Sequence, residues 1–296
     1  MPTNLDECIS TRPRRKTIPL KGEKTLMENK RLGDPALEKL CRLDGRVAVI
    51  TGGSKGIGLA CARRLAEGGA HVALFDIDID SAQREASRIR TDFKVEALAL
   101  RVDMTDAGAV RSAITQVHAQ LGALHIFINN AGIFPEISTL DITDADYDRL
   151  MALDQRGAFL AARDAAKVMV ENTPSGGVII NMISVSGLIA ATNSAHYVAA
   201  KHAMAGATKA FARDLAPHGI RVLAVAPTLI STPGVEAGIA HDAHTRQALE
   251  AFVQKIPLGR AGLPDEVARV VFFAASDLAA FMTGVTLVVD GGELIL

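Results

Sequence analysis

The chain has 296 residues and a formal net charge of -1, with neither a basic excess nor an acidic tail, so nucleic acid is not an expected partner. Its 49% apolar and 22% charged residues match a soluble globular protein, and no run of about 18 apolar residues points to a membrane span. Cys8, Cys41 and Cys61 fit no zinc or disulfide spacing and the eight histidines form no His-x-x-x-His pair, so no metal and a reducing cytoplasm are expected.

Residues 1–42 stand apart from the rest. They are rich in Lys, Arg, Pro and Thr, lack a sustained apolar period, and read as a partly disordered or surface arm. Acidic residues interrupt the positive charge, against a transit peptide, and there is no apolar signal core. A short helix is expected within 35–41. From 43 to 296 the pattern is that of one domain.

Val47 to Ile50 is a short apolar run, as expected of a parallel strand buried on both faces. It is followed by Thr51-Gly52-Gly53-Ser54-Lys55-Gly56-Ile57-Gly58 and a helical pattern through Glu67. Glycine between a strand and a helix lets backbone N–H groups approach a pyrophosphate, although tight packing alone would also select it. A second strand, 71–75, ends at Asp76. A carboxylate there can accept from both adenosine ribose hydroxyls and would repel a 2′-phosphate, or it can serve as a helix cap. Lys55 argues the other way, since a cation in the turn can pair with a 2′-phosphate; Asp76 carries more weight, because a carboxylate beside a dianion is costly and a Lys can swing into water.

The alternation continues with strands at 95–102, 124–128, 178–182, 219–226 and 285–289, and helices at 106–121, 143–170 and 264–275, with a further helix that carries Tyr197 and Lys201 and runs to about 216. Strands separated by helices imply right-handed crossovers and an α/β, doubly wound parallel sheet of Rossmann-like type in a single domain. Between Pro227 and Pro264 the pattern breaks. This stretch, about 228–262, follows a strand end and reads as a substrate lid with a short helix at 243–254.

Tyr197 and Lys201 lie four residues apart, which on a helix puts both side chains on one face about one turn apart. A solvated helix face would show the same spacing. A Lys cation held near a phenol favours the phenolate, and a Tyr so placed can exchange a proton with an alcohol or carbonyl oxygen near neutral pH. Ser184 lies on the loop before that helix and can hydrogen-bond the same oxygen.

Thr51-Gly52-x3-Gly56-Ile57-Gly58, Asn129-Asn130-Ala131-Gly132, Ser184 thirteen residues before Tyr197-x3-Lys201, and Pro227 with Ile230-Ser231-Thr232 occur in this order. Taken together they resemble the short-chain dehydrogenase/reductase family over about residues 43 to 296. The resemblance implies that Tyr197 is the general acid/base, that Ser184 orients the reacting oxygen, and that Lys201 binds the nicotinamide ribose and acts on Tyr197. It implies a cofactor lined by Gly52, Ser54, Lys55, Gly56, Ile57, Gly58, Asp76, Asp103, Met104, Asn130, Ala131, Gly132, Tyr197, Lys201, Pro227, Ile230 and Thr232. It also implies a homodimer or homotetramer formed through the long helices flanking the sheet.

Three positions depart from the family pattern. Asp154, in Asp154-Gln155-Arg156-Gly157, stands where the family has a catalytic Asn, which puts the proton relay in doubt. Thr228 follows Pro227 in place of Gly, and Leu223 replaces a strand Asn; both are expected to alter loop shape. The expected function is hydride transfer between NAD(H) and a secondary alcohol or its ketone. The alternatives are an NADPH-dependent carbonyl reductase, from Lys55, and a catalytically impaired dinucleotide-binding protein, from Asp154. Asp154 itself either joins the relay or turns away to pair with Arg156 or Arg163.

Overall fold

A computed structural model describes residues 35–241 and 243–295, without the side chains of 238–245. The expected arm therefore lies, for residues 1–34, outside the described residues. The chain divides into two units, Met1–Leu37 and Glu38–Leu296, and every strand lies in the second.

In chain order the elements are α1 (Leu37–Leu40), β1 (Val47–Thr51), α2 (Gly56–Glu67), β2 (His71–Asp76), α3 (Ile79–Phe93), β3 (Ala97–Arg101) and α4 (Ala107–Leu121). There follow β4 (Ile126–Asn129), α5 (Asp144–Leu150), α6 (Ala158–Glu171), β5 (Gly177–Met182), α7 (Ala195–Leu215), β6 (Ile220–Pro227), α8 (Pro233–His241), α9 (Ala243–Val253), α10 (Pro264–Ala275) and β7 (Thr286–Val289). The strands form one sheet in the order β3-β2-β1-β4-β5-β6-β7, every pair parallel. The expected doubly wound sheet is what the chain forms. Because the connections reverse direction between β1 and β4, a crevice opens beyond the carboxyl ends of these two strands.

Alternate strand residues feed two separate cores, as period-two geometry requires. Ile50, Leu74, Ile128 and Ile180 pack beneath α2, α3 and α10. Val49, Phe75, Phe127 and Ile179 pack beneath α4, α6 and α7. Leu43 is buried and donates its N–H to Gly68 O at 2.8 Å, which fixes the entry into β1. Leu223, the residue in place of the family Asn, is a fully buried member of the first core.

Three elements differ from expectation. The helix expected over 143–170 is two α-helices joined by a widened π turn, Met151–Gly157, which contains Asp154. Gly157 permits this turn: a Cβ there would stand 2.4 Å from Met104 O. α3 escaped notice because only Ala82, Ala86 and Ile89 are buried on it, a stripe of two alanines and one isoleucine. Its start is fixed by Asp78, whose carboxylate accepts the Ser81 N–H at 3.1 Å. α8 lies in the stretch that read as irregular, where Gly234 and Gly238 weaken the helical signal.

Candidate active site

The glycine turn is shaped by close approach. Gly52 and Gly56 adopt φ of 62° and 55°, which favours glycine. A Cβ on Gly58 would lie 2.1 Å from Gly52 O, so α2 can begin this close to β1 only without a side chain. Ser54 is buried and its Oγ has no hydrogen-bond partner; Lys55 is exposed and Ile57 half-buried. Across the crevice Thr232 Cγ2 comes within 3.5 Å of where a Gly56 Cβ would stand, so the turn and the loop after β6 face each other.

Asp76, at the end of β2, is buried, and both carboxylate oxygens are engaged. Oδ2 accepts the Ser54 N–H and Oδ1 the Asp78 N–H, each at 3.0 Å. It therefore braces the glycine turn, while the helix cap is Asp78. The Asp78 carboxyl is held below its usual range, first by the Ser81 hydroxyl and amide, with smaller help from Arg84 and Lys55. Arg101, which the sequence reading did not single out, pairs in register with Asp76 and is exposed. Asp103 is also exposed and accepts from the Thr105 amide and hydroxyl at 2.8 and 2.7 Å, whereas Met104 is buried.

The loop after β4 is tied to β1. Thr51 Oγ1 accepts the N–H groups of Asn130 and Ala131, both at 2.9 Å, and Asn130 Nδ2 donates to Thr51 O at 2.9 Å. Next along the loop, Gly132 leaves room for Asp154: a Cβ there would lie 2.7 Å from Asp154 Oδ2. Behind the loop runs a buried polar chain. Asn129 Nδ2 donates to Ala158 O at 2.6 Å and to Asn181 Oδ1 at 3.2 Å, and Asn181 Nδ2 donates to Thr208 Oγ1 at 2.9 Å. It links β4 and β5 to the start of α6 and to α7.

Asp154 does not turn outward. It is 1% exposed; Oδ1 accepts the Ile133 N–H at 2.9 Å, and Oδ2 lies 3.0 Å from Lys201 Nζ. That second contact is an ion pair rather than a well-angled hydrogen bond. The alternative partner Arg163 instead bonds Asp164 at 2.9 and 3.0 Å. Lys201 Nζ also donates to Met182 O at 3.3 Å and lies 5.3 Å from the centre of the Tyr197 ring. Burial by itself would push the Lys201 ammonium down; the Asp154 carboxylate, then the Tyr197 oxygen, outweigh it and hold the group above its usual range.

Ser184 caps a short 3₁₀ turn, Val185–Gly187, with Oγ accepting the Ser186 N–H at 3.1 Å. Its hydroxyl hydrogen is left to donate elsewhere. Gly187 allows this turn to sit on α7, since a Cβ would lie 3.0 Å from Lys201 O. Phe134, absent from the sequence reading, packs edge-on against the Tyr197 ring with centroids 4.7 Å apart.

Beyond β6, the buried Pro227 leads into a loop held by backbone bonds: Gly262 N–H to Leu229 O at 3.0 Å and Ser231 N–H to Gly262 O at 2.8 Å, with Ile230 buried between them. The Thr228 hydroxyl donates to the Glu293 carboxylate, so the departure from Gly ties this loop to the last turn of the chain. Contacts thus join the glycine turn to Asp76 and to the loop after β6, and Gly132 to Asp154 and Lys201. No group of three or more metal-ligating side chains occurs among the described residues.

A parallel sheet whose glycine turn opens α2 at the switch point defines a dinucleotide-binding protein of the doubly wound class. A family model described as "Enoyl-(Acyl carrier protein) reductase" matches residues 52–293. The chain is 38% identical over 251 residues to 2-(S)-hydroxypropyl-CoM dehydrogenase 3 of Xanthobacter autotrophicus, covering 85% of this chain and 97% of the relative. A short-chain type dehydrogenase/reductase from Mycobacterium marinum superposes with a TM-score of 0.80 at 37% identity, covering 86% and 98% of the two chains. A putative 2-deoxy-D-gluconate 3-dehydrogenase from Agrobacterium tumefaciens with bound NADP superposes with a TM-score of 0.77 at 32% identity, covering 86% and 99%. The chain belongs to the short-chain dehydrogenase/reductase family, which uses a nicotinamide dinucleotide. No helix among the described residues is long and apolar enough to cross a membrane.

Proposed function

We propose that this protein is an NAD-dependent oxidoreductase acting on a secondary alcohol or its ketone, with Tyr197 as general acid/base. The observation that carries the reading is the buried Lys201, held as a cation by Asp154 and set 5.3 Å from the Tyr197 ring. The crevice fits the dinucleotide: two left-handed glycines, a Gly58 position that a Cβ would fill, and the unpartnered buried Ser54 Oγ lie at one helix N-terminus. Gly52, Ser54, Gly56, Ile57 and Gly58 would hold its pyrophosphate, with Asn130, Ala131, Gly132, Pro227, Ile230 and Thr232 around its nicotinamide half. When bound, the dinucleotide supplies the hydride chemistry.

The chain's own residues do the rest. Ser184 donates its free hydroxyl hydrogen to the substrate oxygen and fixes its position. Tyr197 exchanges the proton of that same oxygen. Lys201, fixed by Asp154 and Met182 O, keeps a positive charge beside the phenol. The segment 228–262 closes as a lid. A half-open cavity of about 460 Å³ lies against α9, bordered by Leu229, Val235, Leu249 and Val253.

Asp76 favours NAD, since its carboxylate would face a 2′-phosphate. A second reading, NADP, is favoured by the exposed Lys55 in the glycine turn and the exposed Arg101 in register with Asp76. The test of the function is Tyr197→Phe, assayed with secondary alcohols and either cofactor. The expected outcome is a loss of about 10²–10⁴-fold in kcat with cofactor binding retained. Residual activity above about one tenth would assign the proton transfer elsewhere.

A further inference from the structure

We infer that the substrate of this site is an uncharged, predominantly apolar secondary alcohol or ketone, and that Phe134 is a specificity-determining residue; the inference rests on the oxidoreductase reading above. Two loops meet just before the start of α7. One follows β4 and carries Phe134; the other follows the Ser184 turn and carries Leu188 and Ile189. They are joined where Ile137 donates its N–H to Asn193 O at 2.8 Å. Phe134 lies against the Tyr197 ring and yet is 52% exposed, while Leu188 and Ile189 are 39% and 43% exposed. An aromatic ring left half open against the Tyr197 phenol, with open apolar side chains on the joined loop, offers surface that an apolar ligand covers with gain and a polyol covers at the cost of its hydration.

The charge beneath them points the same way. Lys201 is the cation nearest the Tyr197 ring among the contacts described, and Asp154 neutralises it at 3.0 Å. With an amide at position 154 the lysine would carry an unpaired charge that could draw a carboxylate or sulfonate towards the reacting carbon. With Asp154 in place, a carboxylate 3.0 Å from the ammonium weakens that draw on an anion.

The experiment compares kcat/KM for cyclohexanol, erythritol and lactate in the parent, in Phe134→Ala and in Phe134→Leu, with NAD and NADP, alongside Tyr197→Phe. The expected result is that cyclohexanol exceeds erythritol and lactate by at least about a hundredfold in the parent, and that Phe134→Ala lowers this ratio by about tenfold or more. Phe134→Leu, which keeps apolar volume, is expected to fall between and carries the test if the alanine variant unfolds. Thermal midpoints are recorded in parallel to separate folding from selectivity. Erythritol or lactate turned over as well as cyclohexanol, with Tyr197→Phe inactive, overturns the apolar class and leaves the oxidoreductase reading standing. A selectivity ratio unchanged in both Phe134 variants removes Phe134 as its determinant. No turnover of any alcohol with either cofactor overturns the reading on which the inference rests.

Discussion

Replacing Asp154 by Asn removes one charge from a buried pair and keeps nearly the same shape. At the observed 3.0 Å the pair attracts by about 5–6 kcal/mol with an effective permittivity of about 20. The net loss is smaller, because the Asn carbonyl can still accept from Ile133 and from Lys201; we expect destabilisation of roughly 3 kcal/mol at pH 7, at the low end for breaking a buried pair. For a chain of this size that lowers Tm by about 6–12 °C. The pH dependence carries a sign. In the parent the Lys201 pKa is raised, so the pair's contribution is complete below the ordinary lysine value of 10.5 and fades only as pH rises through the higher folded value. In the variant the first cause, burial, has lost its main opponent, and the folded lysine falls below its unfolded value. The unfolded variant then binds more protons, so its stability rises with pH towards 10.5. Unfolding free energies measured from pH 7 to 10 should show the gap between parent and variant narrowing. A constant gap would refute the coupling of Asp154 to Lys201. In kcat/KM for alcohol oxidation, removing the carboxylate should move the rising limb to lower pH and increase the rate near neutrality. An unchanged profile with an unchanged rate would take Asp154 out of the proton path.

Two further substitutions test other parts of the structure. Asp76→Ala should raise the NADP/NAD ratio of kcat/KM by about 5- to 150-fold, the scale of one to two charge-sized interactions. It should also weaken both cofactors, because the Ser54 amide loses its acceptor; equal efficiencies in the parent would instead promote Lys55 and Arg101. Asp265 on α10 is held at about 2, first by its bonds to Arg64 on α2 and then by Arg269. A lowered carboxyl stabilises above its unfolded value near 3.8 and loses that contribution as pH falls from about 4 to about 2. Asp265→Asn should therefore cost only about 0.5–1 kcal/mol at pH 7, because the side chain is a third exposed and screened, and the cost should fall to a small fraction of this by pH 2 and vanish below it. Circular dichroism of acid unfolding checks this, and an identical difference at pH 7 and pH 2 would dismiss the link between the helices.

What the sequence could show was whatever repeats locally. The four-residue step from Tyr197 to Lys201, the apolar runs of the strands and the glycines before α2 all follow from backbone periodicity, and each stands where expected. What it hid depends on the folded chain. Attraction of Asp154 to Lys201 could be named from the family pattern, but not its direct 3.0 Å contact, since the two lie on different elements and no spacing rule connects them. The π turn that aims Asp154 inward leaves no periodic mark, because it inserts a residue's worth of width into an otherwise helical run. Phe134 reads as a lone aromatic in a loop until α7 is folded beneath it. α3 was missed for a different reason: its buried stripe contains two alanines and a single isoleucine, too little apolar contrast to register.

The departure at Asp154 can be weighed from the contacts of Lys201. Its ammonium donates to Met182 O, is paired in charge with Asp154 Oδ2 at 3.0 Å, and lies 5.3 Å from the centre of the Tyr197 ring. An asparagine at 154 would keep a carbonyl oxygen facing the ammonium and remove the charge behind it. A site impaired by this residue would need Lys201 drawn away from Tyr197, and the ion pair does not do that. The ion pair therefore leaves the proposed oxidoreductase reading standing beside that of a protein that binds the dinucleotide idly, and turnover decides between them. Turnover by the parent supports the first. An inactive parent restored by Asp154→Asn would support the second.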